Sequence, residues 1–549
     1  MGIKDFWPLV RNASVSIKVA DLALDRGFLK NHYQSRALII GVDARQVKYQ
    51  VCLARLDILL WALPGLHTSD TTLTQLNQLL AQFLKASVAV VFVFDGQERA
   101  SIKRKRQVLF NEPAHYRLAK ELMGHYGFYV HTAKGDADAE LAGLNQAGAI
   151  DAVYTKDSDL FPFGAQCILR VIDPPKKLDN GTRKKSKDRS DLLVDMYRSE
   201  TVGKKMQVSR FGLILIALLL PNDFTDGVEG IGGQTALGLA KCGFGDHLVN
   251  AYTHYSSDPK QLSPMLSQLN KDMVLELKLN QRGYLSFRSP DRAQKMKVSK
   301  FPSLADIPAL EAFLTPITNL ATLSELPRWT PRIPNIDQIA SFCIQHFCWS
   351  EEHALKKFHA ELWEGIIFQM LSSRFGAYNA KTTELLVPRL QPYFHRDKEG
   401  DFVPVLSTKF KTKDPLQKLG KKTLGGKISL TCCTESFVQL TGFSVPVQQS
   451  QLSRRVKIPV EIVAVATRCT DKIKGLNGLL GDRPLTTVSV ASMASTATHP
   501  QISAHAGPSK RKEVSLAVDN EEEEEVGQSL TKRRKNGEHI QYIEISDSD

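Results

Sequence analysis

Three short apolar runs, each stopped by an aspartate, constrain this chain more than any other feature. Ala37-Leu38-Ile39-Ile40-Gly41-Val42 ends at Asp43. Val88-Ala89-Val90-Val91-Phe92-Val93-Phe94 ends at Asp95-Gly96, and Ala149–Thr155 stops just before Asp157 and Asp159. Runs without polar alternation are strands buried on both faces, and the helical patterns between them supply the covering layers. The predicted fold class is α/β, a mostly parallel central sheet flanked by helices. In such sheets ligands lie outside the carboxyl ends of the strands. Each of the three ends presents an acid there.

Composition narrows the class. The 549 residues are 42% hydrophobic, enough for a sizeable core and too much for wholesale disorder. The longest unbroken apolar run, Leu213–Leu220, has eight residues, whereas a spanning helix needs about 20. Lys4 and Asp5 stand where a signal peptide's apolar region would begin, and Phe6 occupies the Ser/Thr position of a myristoylation pattern. The eight cysteines include no Cys-x-x-Cys; Cys432–Cys433 and Cys343 with Cys348 are the closest. They read as reduced thiols, with neither a zinc site nor a disulfide frame. A soluble intracellular protein without a membrane partner is expected. The formal charge is +13, from 71 basic and 58 acidic residues; residues 471–549 hold 10 basic and 13 acidic ones, leaving +16 on residues 1–470. A basic folded body suits a polyanionic partner, because phosphate contacts release counterions.

Along the chain, a helical stretch is expected from Asp43 through Trp61, and a basic, turn-rich excursion between Ile172 and Gln207. A buried helix is predicted over Phe211–Leu220, ended by Pro221. Residues from about 250 to 375 read as helical, with Trp329, Trp349 and Trp363 as packing anchors. A small β-containing module is expected over 385–467, from Phe402–Leu406, Ile428–Leu430 and the closing Val460–Val465. Residues 471–549, with the block Glu521–Glu525, read as a disordered tail.

Seven acids fall at strand ends or loop starts: Asp43, Asp95, Asp136, Asp138, Asp157, Asp159 and Asp223. Asp136-Ala137-Asp138 and Asp157-Ser158-Asp159 are Asp-x-Asp pairs, whose carboxylates share a face if the segments are extended. Unscreened, two such charges 4 Å apart cost about 4 kcal/mol at an effective dielectric near 20. Hard divalent cations relieve that repulsion, and two ions about 3.5–4 Å apart can clamp a phosphodiester. A single Asp after a strand is more often a cap or turn former, so spacing alone leaves the choice open.

The residues resemble a known family. Met1-Gly2-Ile3-Lys4-Asp5-Phe6-Trp7 is similar to the amino terminus of the XPG and flap endonuclease family of structure-selective nucleases. Ile40-Gly41-Val42-Asp43-Ala44 and Val93-Phe94-Asp95-Gly96 resemble its first metal-binding segments. Ala133-Lys134-Gly135-Asp136-Ala137-Asp138-Ala139-Glu140 resembles a segment in which the family usually has glutamates. Thr155-Lys156-Asp157-Ser158-Asp159 with Phe163-Gly164-Ala165 resembles the next block, and Ala217–Phe224 the segment of the last acid. Gly227-Val228-Glu229-Gly230-Ile231-Gly232 resembles the hairpin of the family's helix–two-turn–helix.

The resemblance implies a PIN-like nuclease core, with an N-terminal region over 1–110, an internal region over 111–250 and a helical extension over 251–380. It also implies a structure-selective DNA endonuclease with two Mg²⁺ ions, for which Mn²⁺ can substitute, leaving a 5′ phosphate and a 3′ hydroxyl. Asp43, Asp95, Asp136 and Asp138 would serve mainly one ion, and Asp157, Asp159 and Asp223 the other. One ion would help generate the attacking hydroxide and the other stabilise the leaving oxygen. Two departures stand out: Asp136 and Asp138 are one methylene shorter than glutamate, with Glu140 expected to compensate in part, and Pro221-Asn222 replaces small residues before Asp223.

Only 41 positions separate Asp95 from Asp136, too few for a long helical arch that threads a free 5′ end. That shortness, with 385–467 as a candidate chromodomain-like module, favours the Holliday-junction resolvase branch over a 5′-flap endonuclease or exonuclease; a catalytically weak junction-binding scaffold is the third reading. The expected DNA contacts are Gly2, Lys103, Arg104, Lys105 and Arg106 beside the scissile phosphate, and Gly227, Gly230, Ile231 and Gly232 on a duplex backbone. Lys176–Arg189 is expected as a further strap. In this family the hairpin also coordinates K⁺. Resolution needs two active sites, so a monomer that dimerises on the junction is expected. Lys532-Arg533-Arg534-Lys535, with a weaker Lys510-Arg511-Lys512, reads as a nuclear import signal, and Ile543 and Ile545 between acids as a SUMO-interacting motif.

Overall fold

β-branched and aromatic runs without polar interruption become the centre of a seven-stranded sheet. A computed structural model describes residues 2–30, 37–44, 71–99, 102–103, 106–107, 114–172, 192–321, 325–332, 334–373, 377–379, 384–396, 402–411, 423–467, 473–474 and 476. The strands, in chain order, are β1 (Val15–Lys18), β2 (Leu38–Asp43), β3 (Val88–Phe94), β4 (Ile102–Lys103), β5 (Arg106–Gln107), β6 (Tyr129–Thr132), β7 (Ala152–Thr155), β8 (Cys167–Val171) and β9 (Leu193–Arg198). The order across the sheet is β1-β9-β8-β7-β2-β3-β6, with β4 and β5 forming a separate ribbon. Pairings β2–β3, β2–β7, β3–β6 and β7–β8 are parallel, whereas β9 joins β8 and β1 antiparallel. β2, β3 and β7 are buried along their whole length. The α/β expectation holds. The chain runs from β2 to β3 and β6 on one side, then returns to place β7 on the other, so β2 and β7 flank a topological switch point.

Two cores cover the faces. On one, Phe83 of the helix Thr71–Lys85 packs edge-on against Phe92, Phe128 and Tyr154. On the other, the helix Arg210–Leu219 is buried from Gly212 to Leu219 and packs with Phe6, Phe161 and Leu141. Ser209 caps it, its hydroxyl accepting from Gly212 N at 3.1 Å. Trp363 and Trp329 are buried, while Trp349 is half-buried against Phe347 and His353.

Five strands between Ala377 and Pro459 form a second sheet: β10 (Ala377–Asn379), β11 (Glu384–Arg396), β12 (Phe402–Lys411), β13 (Lys427–Cys433) and β14 (Ser453–Pro459), antiparallel throughout. The run Val460–Val465 is part of a helix, Val460–Ala466, every residue of which is buried. Burial on all sides removes the periodicity that tells helix from strand.

Among the described residues, no helix is long and apolar enough to cross a membrane. Six described cysteines are free. Burial pushes the Cys343 thiol up to about 12 and those of Cys167 and Cys242 to about 11, so these three are protonated, inert packing groups at neutral pH. The stretch from Asp43 to Trp61 beyond Ala44, Arg104, Lys105, Lys176–Arg189 and the tail motifs at Lys510–Lys512, Lys532–Lys535, Ile543 and Ile545 lie outside the described residues.

Candidate functional site

Strand register brings three of the acids to one edge. Asp43, the last residue of β2, stands opposite Val93 of β3, two residues before Asp95. On its other side Val42 pairs with Tyr154 of β7, three residues before Asp157. Adjacent strands lie about 4.8 Å apart, so Asp43, Asp95 and Asp157 leave neighbouring strands at the same end of the sheet. Asp43, Asp157 and Asp159 are buried.

The segment after β3 is zipped to the one after β6. Ala133 N donates to Phe94 O at 2.8 Å, Gly96 N to Gly135 O at 2.7 Å and Glu98 N to Lys134 O at 3.0 Å. A Cβ at Gly96 would overlap the carbonyl oxygens of Ala133 and Lys134, so this approach requires glycine. It carries Asp95 to the start of the helix Ala137–Gln146, where Ala137 N donates to Asp95 Oδ1 at 3.0 Å. Asp136 and Asp138 sit in that first turn. Arg99 Nη1 pairs with Asp95 Oδ2 at 2.7 Å, a countercharge that pattern reading did not single out.

The amino terminus joins the other acids. Ile3 N donates to Ser158 Oγ at 2.9 Å, and Lys4 N to Pro221 O at 3.0 Å. Gly2 has φ +84°, and a Cβ there would overlap Asp157 Oδ1 and Ser158 Oγ. Residues 2–4 thus bridge the Asp157 block to the Asp223 loop. Phe163 and Phe224 close the same gap, ring centroids 6.1 Å apart.

Several local expectations need correction. Neither Asp-x-Asp pair is extended: Asp136 is the N-cap residue of its helix, and Asp159 N donates to Asp157 Oδ1 at 3.1 Å before the helix Leu160–Phe163. Helix starts, not pleats, aim these carboxylates. Glu140 does not compensate for the short Asp136 and Asp138. Two residues along a helix turn the side chain by about 200°, and Glu140 is fully buried, 2.9 Å from His131 Nε2 through Oε1, with Oε2 accepting from Asn319 N at 2.7 Å. In the hairpin, Gly227 N donates to Thr225 Oγ1 and Ile231 N to Val228 O. These two amides are engaged internally and the Ile231 side chain is buried, which leaves Gly230 and Gly232 at the exposed surface. Lys103 and Arg106 are register partners in the β4–β5 ribbon.

Asn222 does more than replace a small residue. Its Oδ1 accepts from Phe224 N at 2.7 Å and Thr225 N at 3.2 Å, while Nδ2 donates to Ala217 O at 2.5 Å and Leu220 O at 3.3 Å. The amide pins the loop carrying Asp223 to the end of the preceding helix. Asn222→Ala is expected to lower the rate of any reaction at this edge by about 10–100-fold, as loss of an orienting partner does. Single-turnover rates check this, and an unchanged rate for Asn222→Ala would remove Asn222 from the site.

Among the described residues, no three His, Cys, Asp or Glu side chains are arranged to hold a metal ion as placed. Asp95 is turned to Arg99 and Ala137 N, and Asp157 Oδ1 to Asp159 N. The acids that register brings to this edge, Asp43, Asp95 and Asp157, offer hard oxygen atoms, the kind of donor that Mg²⁺ and Mn²⁺ take.

Comparison with known proteins gives this edge a lineage. The XPG I-region family description matches residues 127–223. The mouse flap endonuclease GEN homolog 1 is 25% identical over 283 residues, 47% of this chain and 27% of the mouse protein. The Arabidopsis thaliana flap endonuclease GEN-like 1 is 34% identical over 138 residues, 25% of this chain and 20% of that protein. The chain therefore spans about a quarter of the length of these relatives. A solved structure of the eukaryotic junction-resolving enzyme GEN-1 binding with cesium superposes with a TM-score of 0.59 at 21% identity, covering 86% of this chain and 98% of that one. A Holliday junction-resolving enzyme GEN1 in complex with product DNA and Mg²⁺ gives 0.56 at 20% identity over 86% and 98%. The matched I-region contains Asp136, Asp138, Asp157, Asp159 and Asp223 and ends on the last of them. Of the three switch-point acids, Asp157 thus lies within the stretch that matches the XPG I-region, and the likeness to the solved junction-resolving enzymes is one of fold.

Proposed function

We propose that the chain is a structure-selective DNA endonuclease that hydrolyses phosphodiesters in branched DNA, with Holliday junctions as its principal substrate. One observation carries the reading: Asp43, Asp95 and Asp157 leave neighbouring strands at the switch-point edge of a parallel sheet, and five of the seven candidate acids fall within the stretch matching an XPG I-region. Asp43, Asp95, Asp136 and Asp138 are assigned to one Mg²⁺ and Asp157, Asp159 and Asp223 to a second. When bound, such a pair lowers the pKa of the attacking water and neutralises charge at the leaving oxygen. The chain's own part is to hold the acids. Gly96 and the zipped strand ends place Asp95, residues 2–4 tie the Asp157 block to the Asp223 loop, and Asn222 fixes that loop.

The DNA contacts are assigned to Lys103, Arg104, Lys105 and Arg106, to Gly230 and Gly232 of the hairpin, where K⁺ is a further proposed ligand, and to Lys176–Arg189. These are backbone contacts, so shape is read rather than sequence. The 41-residue spacing from Asp95 to Asp136 and the antiparallel sheet over 377–459 support the junction branch. A dimer formed on the junction, nuclear import through Lys532–Lys535 and SUMO binding through Ile543 and Ile545 complete the proposal; deleting residues 540–549 is expected to abolish SUMO capture.

The test is cleavage of an end-labelled immobile four-way junction with Mg²⁺. Paired symmetric nicks leaving 5′ phosphates are expected. Release of a 5′ flap alone would favour the flap-nuclease reading, and intact binding without cleavage the scaffold. Affinity is expected to fall about 10³–10⁵-fold between 50 and 200 mM salt if six to ten phosphates are contacted. A flat salt response would overturn the phosphate contacts.

A further inference from the structure

A cavity of about 640 Å³ lies far in the chain from the acid edge, among the elements Lys18–Leu29, Gln82–Ser87, Glu364–Ser372, Leu424–Lys427 and Lys457–Ile462. Glu461, in the first turn of the helix Val460–Ala466, lines it and is 1% exposed. Its Oε1 accepts from Gly425 N at 2.5 Å, while its Oε2 is buried with no hydrogen-bond partner among the described residues. A buried carboxylate oxygen without a donor is costly and is normally matched. The nearby cations do not supply the match. Lys85 pairs with Glu364 at 3.5 Å, and Lys427 and Lys457 are exposed.

We propose that this cavity binds a lysine or arginine side chain of a partner polypeptide whose flanking residues are acidic. A primary ammonium or guanidinium is the donor that Glu461 Oε2 lacks, and charge-assisted bonds of this kind are the strong ones. Phe28, Leu24, Phe368 and Ile462 supply apolar wall for the methylene stem beneath such a head group. The volume suits a residue-sized guest and is too large for a bare ion. The described residues also hold no cluster of three metal-ligating side chains. Lys427 and Lys457 select the flanks. Lys427 pairs with Pro459 and Ser429 with Lys457 across β13–β14, so the two lysines share one face of the ribbon. Two cations there, unpaired among the described residues, repel a uniformly basic peptide and attract one with acids beside its basic residue.

The experiment is fluorescence anisotropy of the full chain with labelled Gly-Ser-Glu-Lys-Glu-Ser-Gly, against the same peptide with norleucine for lysine and a third with glutamine for both glutamates. Saturable binding of the first is expected, at least about tenfold tighter than the norleucine peptide. Glu461→Gln keeps an acceptor for Gly425 N and is expected to retain the melting temperature and junction affinity while weakening the peptide about tenfold or more. The pair Lys427→Ala and Lys457→Ala is expected to erase the preference for glutamate flanks and leave the glutamine peptide unchanged. No saturation up to about 1 mM, or binding indifferent to Glu461→Gln, would overturn the proposal and leave water as the cavity's occupant. Because the readout is peptide binding, a failed nuclease assay would not bear on it.

Discussion

Asp157→Asn is expected to cut the single-turnover rate of junction cleavage by about 10³-fold or more, beyond the 10–100-fold typical of losing an orienting partner, while junction affinity changes less than about threefold. Asn keeps the side chain's shape and an oxygen for the Asp159 N–H, which donates to Asp157 Oδ1 at 3.1 Å. The local turn therefore survives, and what is lost is one negative charge at the switch point. Removing charge there would weaken the proposed Mg²⁺ binding and ease the repulsion among the acids. The substitution is thus expected to preserve or slightly raise thermal stability as activity collapses. Asp95→Asn provides the contrast: it also removes the charge that Arg99 pairs with at 2.7 Å, weakening the countercharge of a largely buried guanidinium. That variant is expected to lose both activity and stability. Cleavage by Asp157→Asn within tenfold of wild type would remove Asp157 from the site. An active Asp95→Asn would do the same for the other half of the cluster.

What was legible in the sequence follows from where its physics is local. β3 spans Val88–Phe94, the run itself, because a strand buried on both faces announces itself without any partner. Asp43, Asp95 and Asp157 follow from the same rule, since the residue ending such a strand lies at the ligand edge. Errors arose where orientation depended on the next element. Asp136 and Asp138 look paired by spacing, but a helix begins at Ala137 and turns Glu140 away to His131 and Asn319. Arg99 carried no pattern at all, and Asn222 stood out only as a departure before Asp223. Asn222 acts through atoms as far back as Ala217, reachable only once the preceding helix has ended where it does. The pairing of Ile3 with Ser158, 155 residues apart, has no local signature either. Likewise, Val460–Ala466 is helical because tertiary burial overrode β-branched propensity.

Trp363→Ala is expected to destabilise the fold by about 3–5 kcal/mol, a large share of the roughly 5–15 kcal/mol typical of a domain. Trp363 is fully buried and opens the helix Trp363–Ser373. Its ring lies 5.7 Å from Phe358 and 5.4 Å from Phe437, so it joins the helical extension to the short helix Glu435–Leu440 that follows β13. Two residues on, Gly365 packs so tightly on Leu84 that an added Cβ would stand 2.8 Å from its side chain, leaving the helix little freedom to collapse into the void. The cavity should therefore persist, which places the loss at the upper end of that range. Trp363→Phe separates volume from polarity. The indole Nε1 is buried with no hydrogen-bond partner among the described residues, so phenylalanine removes an unsatisfied donor along with part of the ring. A loss of less than about 2 kcal/mol is expected for it. Because Trp363 belongs to one continuous apolar cluster running from Phe83 and Phe92 to Val456 and Val463, the two sheets should melt in a single transition, moved as a whole by Trp363→Ala. Denaturant unfolding followed by circular dichroism measures both losses. An alanine variant within 1 kcal/mol of wild type, or one that splits the transition with the first sheet unmoved, would show that Trp363 does not couple the two sheets.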